Sequence, residues 1–107
     1  MRKEANYQRQ LIAKLKELFP GCVIQRNDPR DIQGIPDITI FWHDRWAMLE
    51  VKESASASSR PNQPYYVEQF ADMSFAAFIY PENEEEVLDE LQRSFGSIRK
   101  TRLSKSK

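Results

Sequence analysis

The chain has 107 residues, 40% of them hydrophobic and 11% aromatic, which suits one domain with one core. One cysteine excludes an internal disulfide, one histidine excludes a conventional Cys/His zinc site, and no apolar run reaches the ~20 residues of a membrane span. The net charge is zero, but residues 82–90 are strongly acidic and residues 99–107 carry only basic charges, so a polyanionic partner is not excluded.

The first predicted element is an amphipathic helix over residues 4–19. Tyr7, Leu11 and Leu15 recur at helical spacing, and Pro20-Gly21 ends the helix. Because the chain starts with this helix and not with a signal-peptide core, we expect a cytoplasmic protein. A short strand over residues 22–26 and a loop over residues 27–36 follow.

A hairpin over residues 37–52 is the centre of the prediction. With Asp44-Arg45 as its two-residue turn, Asp37 lies opposite Lys52, and Thr39 lies opposite Glu50. Opposite residues project to the same side, so Asp37, Glu50 and Lys52 converge at the open end. This expectation depends on the register, because a slip of one residue would move Asp37 to the other face.

The second half of the chain predicts a helix, a strand and a helix. A small, polar, flexible loop over residues 53–61 leads to a helix over 62–72 with an apolar stripe of Tyr66, Val67, Phe70 and Met73. Residues 75–80 are apolar on both faces, as in a central strand. A last helix follows Asn83 and ends at Gly96. We expect a single mixed α/β domain over residues 1–98, of order αβββαβ with an extra C-terminal helix, and a disordered basic tail over 99–107.

Two carboxylates at the end of a sheet form a site for a hard cation. Mg²⁺ or Mn²⁺ prefers one or two carboxylates together with water and phosphate oxygens. Asp37 and Glu50 supply the carboxylates, and the backbone carbonyl of Val51 offers a further ligand. Lys52 can orient or deprotonate a water, or pair with a phosphate. These groups favour metal-assisted hydrolysis of a phosphodiester.

The pattern Pro36-Asp37 … Glu50-Val51-Lys52 resembles the motif of the PD-(D/E)XK nucleases. Gly34-Ile35-Pro36-Asp37, Glu4-x-x-Tyr7-Gln8-x-x-Leu11 and Gln63 after a Ser-rich loop resemble the small VRR-NUC branch of that superfamily. The similarity covers roughly residues 4–92 on a motif-by-motif reading.

The resemblance implies roles for individual residues. Asp37 and Glu50 would bind the metal with the Val51 carbonyl, and Glu4 would reach it directly or through water. Lys52 would position or activate the water, and Gln63 would orient the site. Two departures from the family pattern are Pro64 directly after Gln63, and Met73-Ser74 where a glycine often precedes the last strand. If the resemblance is set aside, the sequence alone is explained by a structural role for each residue: Glu4 as a surface acid near a helix N-terminus, and Gln63 as a helix cap.

The resemblance also implies a DNA substrate. Small members of this branch are typically phage or bacterial endonucleases, some of which act on four-way (Holliday) junctions or flaps as homodimers. A homodimer would supply two sites for symmetric cutting of two strands. Basic side chains that can contact the DNA backbone are Arg26, Arg30, Arg60, Lys100 and Arg102.

Two alternative functions remain open. The first is a non-catalytic module that binds DNA structure or a protein partner on the same fold. The second is a nicking or restriction-like nuclease with sequence specificity. The leading hypothesis is a hydrolase, a structure-selective, metal-dependent DNA endonuclease of the Holliday junction resolvase kind.

Overall fold

The computed structural model describes residues 2–59 and 62–106, with side chains for residues 3–59 and 62–96. Three helices and four strands follow one another as the sequence predicts. In chain order they are α1 (Arg2–Leu18), β1 (Val23–Arg26), β2 (Ile38–Trp42), β3 (Arg45–Val51), α2 (Gln63–Met73), β4 (Phe75–Ile79) and α3 (Glu84–Ser106). The predicted mixed α/β class and the order of the elements are confirmed.

The four strands form one mixed sheet in the order β1-β2-β3-β4. β1, β2 and β3 are antiparallel neighbours, whereas β4 runs parallel to β3 and is reached through α2. The prediction that residues 75–80 form a central strand is wrong, because β4 is at an edge of the sheet. Its apolar sequence has another cause, since both α2 and α3 pack against it.

One face of the sheet carries the hydrophobic core. Alternate residues of β2 and β3 point to this face, and α1 and α3 cover it. Phe19 directly follows α1, and its ring lies 5.0 Å from that of Trp42 on β2 and 5.2 Å from that of Phe95 on α3, both edge-on. The fully or nearly fully buried members of this core include Leu11, Leu15, Ile38, Ile40, Ala47, Leu49, Val51, Leu88 and Leu91.

The opposite face carries α2 and the polar residues at the open end of the hairpin. Val67 is buried, and the Phe70 ring packs edge-on against Trp46 at 6.2 Å. The predicted apolar stripe of α2 is wrong at Met73, whose side chain is 60% exposed. Met73 is the last residue of α2, and the chain turns into β4 at Ser74, so its side chain lies outside the packed face.

The last helix continues beyond the predicted stop. α3 extends to Ser106 and passes through Gly96, so the prediction that Gly96 ends it is wrong. A single glycine costs a helix only about 1 kcal/mol, which the helix-forming residues around it can offset. The division of the chain into a domain and a separate tail over residues 99–107 stays a prediction.

Each helix in the described part of the chain is too short or too polar to span a bilayer.

Candidate active site

The hairpin turn is one position earlier than predicted. Trp42 pairs with Arg45, so His43 and Asp44 form the two-residue turn, and His43 takes a φ of 58°. The expected register is therefore wrong by two residues, and continuing the ladder places Asp37 opposite Glu50. Strand side chains alternate with a period of two, so a shift of two residues keeps the same faces. The predicted convergence of Asp37, Glu50 and Lys52 consequently survives the error.

Asp37 and Glu50 hold the two strands together beyond the last paired residues. The Asp37 backbone N–H donates to Glu50 Oε1 at 3.1 Å. The Val51 backbone N–H donates to Asp37 Oδ2 at 2.9 Å. Each carboxylate thus binds the backbone of the other strand. This reciprocal pair of hydrogen bonds holds both acids at one end of the β2–β3 hairpin. A carboxylate that is shielded from water needs such hydrogen bonds to offset its lost hydration.

Lys52 and Gln63 complete a four-residue cluster with Asp37 and Glu50. Gln63 Nε2 donates to Glu50 Oε2 at 2.5 Å, and Lys52 Nζ donates to Gln63 Oε1 at 2.9 Å. The Lys52 ammonium also lies 3.5 Å from Glu50 Oε2 and donates to the carbonyl of Ser58 at 3.1 Å. The Gln63 amide therefore bridges the acid and the base. Glu50, Lys52 and Gln63 are all at most 7% exposed, so these contacts are shielded from water.

The start of α2 is positioned by a close contact with the loop before β2. Gly34 takes a φ of +95° and lies against Asn62, the residue before Gln63. A Cβ atom on Gly34 would be 2.6 Å from the Asn62 Cβ and 2.9 Å from its backbone carbonyl carbon. Asn62 is itself left-handed, with φ 75°. The sequence prediction missed this positioning role, although Gly34 and Asn62 are the residue types that tolerate positive φ.

Asn27 supports the loop that carries Asp37. Its side-chain Nδ2 donates to the carbonyl of Pro36 at 3.0 Å and to Thr39 Oγ1 at 2.9 Å. Its backbone N–H donates to the carbonyl of Asp37 at 2.8 Å. Asn27 thereby fixes the backbone on both sides of Asp37. The sequence prediction assigned no role to Asn27.

The electrostatics of the cluster favour a proton or a cation between the acids. Burial, and after it the nearby Asp37 carboxylate, raise the pKa of Glu50 from 4.5 to about 7. The Lys52 ammonium and the Asp37 backbone N–H oppose this shift but do not cancel it. Like-charge repulsion between two close carboxylates is the condition that a divalent cation relieves.

The residues at this end of the hairpin fit a hard divalent cation. Asp37 and Glu50 provide carboxylate oxygens, which Mg²⁺ and Mn²⁺ prefer. The N–H and C=O of one strand residue point toward the same neighbouring strand, so the Val51 carbonyl faces the side on which its N–H meets Asp37. The two acids and this carbonyl therefore lie at the same end of the β2–β3 hairpin and are the oxygen donors that could hold such a cation.

Glu4 is not brought to the two acids. It lies in the first turn of α1, and α1 packs on the core face of the sheet, opposite the cluster. Among the described residues, no three acidic, histidine or cysteine side chains are arranged to hold a metal ion. A direct role for Glu4 beside Asp37 and Glu50 thus has no support in this arrangement, and a role through water stays a prediction.

Two of the five predicted DNA-contacting side chains, Arg26 and Arg30, lie in the described part of the chain. Arg26 pairs with Ile38, so its side chain projects from the core face of the sheet, away from Asp37. Arg30 is bonded to Asp28 through a bidentate contact on the surface. Arg60 lies outside the described residues, and so do the side chains of Lys100 and Arg102. Their contacts with DNA stay predictions.

Searches against protein-family models, curated proteins and solved structures found no match to this chain. What the cluster does must therefore be argued from its geometry and from the chemistry of its residues.

Proposed function

We propose that the protein is a metal-dependent phosphodiester hydrolase. More specifically, we propose a DNA endonuclease that requires Mg²⁺ or Mn²⁺. One observation carries the proposal: Asp37, Glu50 and Lys52 share one end of a hairpin, with Gln63 bonded to both Glu50 and Lys52. A buried Lys–Glu pair alone would explain two of these residues, but it would not explain why a second carboxylate is held against the first.

The four residues have separate tasks in this proposal. Asp37, Glu50 and the Val51 carbonyl would hold the cation, which lowers the pKa of a bound water and neutralises charge on the phosphate. Lys52 would orient the attacking water or take its proton. Gln63 would keep the Lys52 ammonium and the Glu50 carboxylate at fixed positions, since it donates to one and accepts from the other.

Branched DNA and a homodimer are the substrate and assembly that the nuclease resemblance suggests. The small size of the domain supports both, because one chain of 107 residues carries one such cluster and paired cuts require two. A cytoplasmic location in a bacterial or phage-infected cell accompanies this proposal.

The experiment is a cleavage assay on labelled linear duplex, flap and four-way DNA with Mg²⁺ or Mn²⁺. We expect cleavage by the wild type and a loss of at least about 10²-fold in Asp37→Ala and Lys52→Ala, the scale of lost acid–base or electrostatic catalysis. Asp72→Ala and Lys16→Ala are matched controls, because both residues are exposed on helices and outside the cluster. Circular dichroism confirms that each variant is folded. A wild type that cuts none of the three DNAs, or full activity in Asp37→Ala, would refute the proposal.

One observation favours the alternative of a non-catalytic binding module. The ammonium of Lys52 and both oxygens of Glu50 already have hydrogen-bond partners within the protein. An internally satisfied cluster needs no metal to be stable. Calorimetric titration with Mn²⁺ separates the two functions. The nuclease predicts a binding isotherm that is lost in Glu50→Ala, and the binding module predicts no isotherm in either protein.

A further inference from the structure

A cleft of about 180 Å³ opens beside Lys52. Its walls are of two kinds. Phe78 and Tyr80 supply aromatic rings from the end of β4, on the face of the sheet that carries Glu50, because Phe78 pairs with Glu50. The rest of the lining comes from small residues of the loop after β3, namely Ser54, Ala55, Ala57 and Ser59. The small side chains leave the cleft open beside Phe78 and Tyr80.

The groups around this cleft are poorly suited to a phosphate. The backbone N–H of Ala55 donates to the carboxylate of Glu82 at 3.2 Å, and the N–H of Ala57 is bonded within the loop. The Lys52 ammonium is directed to a loop carbonyl and to the buried Gln63 amide. A phosphate in the cleft would therefore meet few available N–H donors and a nearby negative charge. A flat, neutral group would meet aromatic faces and serine hydroxyls.

A nucleobase has the required chemistry. Bases stack on aromatic side chains without regard to sequence and use hydroxyl groups as hydrogen-bond partners. A base paired inside a duplex cannot enter such a cleft, because it must first leave the stack. The position of the cleft is also informative, since Lys52 lines the cleft and belongs to the cluster proposed to cut the phosphodiester.

We propose that this cleft binds one unpaired nucleobase next to the phosphate that is cut, with Tyr80 as the stacking residue. The inference rests on the proposed nuclease function and narrows its substrate class. The preferred DNA is then one with an unpaired nucleotide at the cleavage position, such as a flap or an opened branch point. Fully paired linear duplex lacks the group that the cleft receives.

The test measures equilibrium binding by fluorescence anisotropy, with Ca²⁺ in place of Mg²⁺, on a labelled flap DNA and on a fully paired duplex of equal length. Tyr80→Ala should weaken binding to the flap by about 5- to 150-fold, the range expected for one lost stacking contact, and should change duplex binding little. Tyr80→Phe keeps the ring and should keep the affinity. Ala57→Leu fills the cleft from the other wall and should reproduce the loss without removing the ring.

Two controls make the measurement specific. Tyr65→Ala removes a tyrosine that is 59% exposed on α2 and outside the cleft, and it should bind the flap like the wild type. An abasic nucleotide at each flap position in turn should weaken wild-type binding at one position only. At that position Tyr80→Ala should add no further loss, because the protein variant and the DNA variant remove the same contact.

Equal losses on flap and duplex, or additive losses with every abasic position, would overturn the inference. The proposed function is judged separately by cleavage. If the wild type cuts DNA but Tyr80→Ala binds the flap normally, the nuclease stands and the base-binding cleft is rejected. If the flap result is as expected but no DNA is cut, the cleft stands and the nuclease is rejected.

Discussion

Replacing Gly34 by alanine tests whether the loop before β2 positions α2. Two costs add up at this residue. A side chain at a φ of +95° costs about 1–2 kcal/mol. The new Cβ would lie 2.6 Å from the Cβ of Asn62, and overpacking of this kind costs about 1–3 kcal/mol. We therefore expect Gly34→Ala to lower the free energy of unfolding by about 2–5 kcal/mol.

The other two glycines of the chain are internal controls for Gly34→Ala. Gly21 has a φ of +86°, but an added Cβ would meet no atom within 4 Å, so Gly21→Ala should cost only the backbone term of about 1–2 kcal/mol. Gly96 is helical with open space around it, and Gly96→Ala should stabilise the protein by about 1 kcal/mol. The change in unfolded-chain entropy is common to all three substitutions and cancels in the comparison.

The assay for the glycine series is urea unfolding followed by tryptophan fluorescence. The difference between Gly34→Ala and Gly21→Ala isolates the contact with Asn62. Asn62→Gly in the Gly34→Ala background removes the nearest atom and should recover part of the loss. If Gly34→Ala is no more destabilising than Gly21→Ala, the close approach does not constrain the protein, and the positioning of Gln63 needs another cause.

Three further predictions concern the acids and one half-buried tyrosine. Because burial and Asp37 raise the pKa of Glu50 to about 7, the native protein binds that proton more tightly than the unfolded chain. Without metal, the contribution of Glu50 to the free energy of unfolding should be greatest below pH ~4.5 and should fall by roughly 3 kcal/mol as the pH rises to ~7. Glu50→Gln should remove this slope in urea titrations at several pH values, and a slope that persists would assign it to other groups. Adding Mn²⁺ at 100 times its Kd should stabilise the wild type by about 2.7 kcal/mol in a thermal shift assay, but not Asp37→Ala, and an equal shift in both would contradict the site. Tyr7→Phe removes the hydroxyl that donates to Glu84 Oε1 at 2.7 Å and should cost about 1.5–3 kcal/mol in urea unfolding. This loss should vanish in a Glu84→Ala background, which lacks the acceptor, if the contact is its source.

Much of the fold follows from local patterns of the sequence. The apolar spacing of Leu11 and Leu15, and of Leu88 and Leu91, predicts helices whose buried faces the structure confirms. The two apolar runs before and after the hairpin turn likewise predict the strands β2 and β3. These patterns are readable because each depends on neighbours within one or two turns of the chain.

The hairpin register shows where local information ends. Two turns, Asp44-Arg45 and His43-Asp44, are compatible with the sequence, and the structure uses the second. The difference does not separate Asp37 from Glu50, because the two registers differ by an even number of residues. An odd difference would have dispersed the cluster, and nothing in the turn residues themselves excludes it.

The sequence by itself determined the class of the fold, the order of its elements and the shared face of Glu50 and Lys52 on one strand. Only the tertiary structure placed β4 at the sheet edge, carried α3 past Gly96, set Asp37 opposite Glu50 and set Asn62 against Gly34. The physical reason is the range of the interactions. Helical and strand periodicity act over a few residues, whereas the position of a helix start or a sheet edge depends on contacts between segments far apart in the chain.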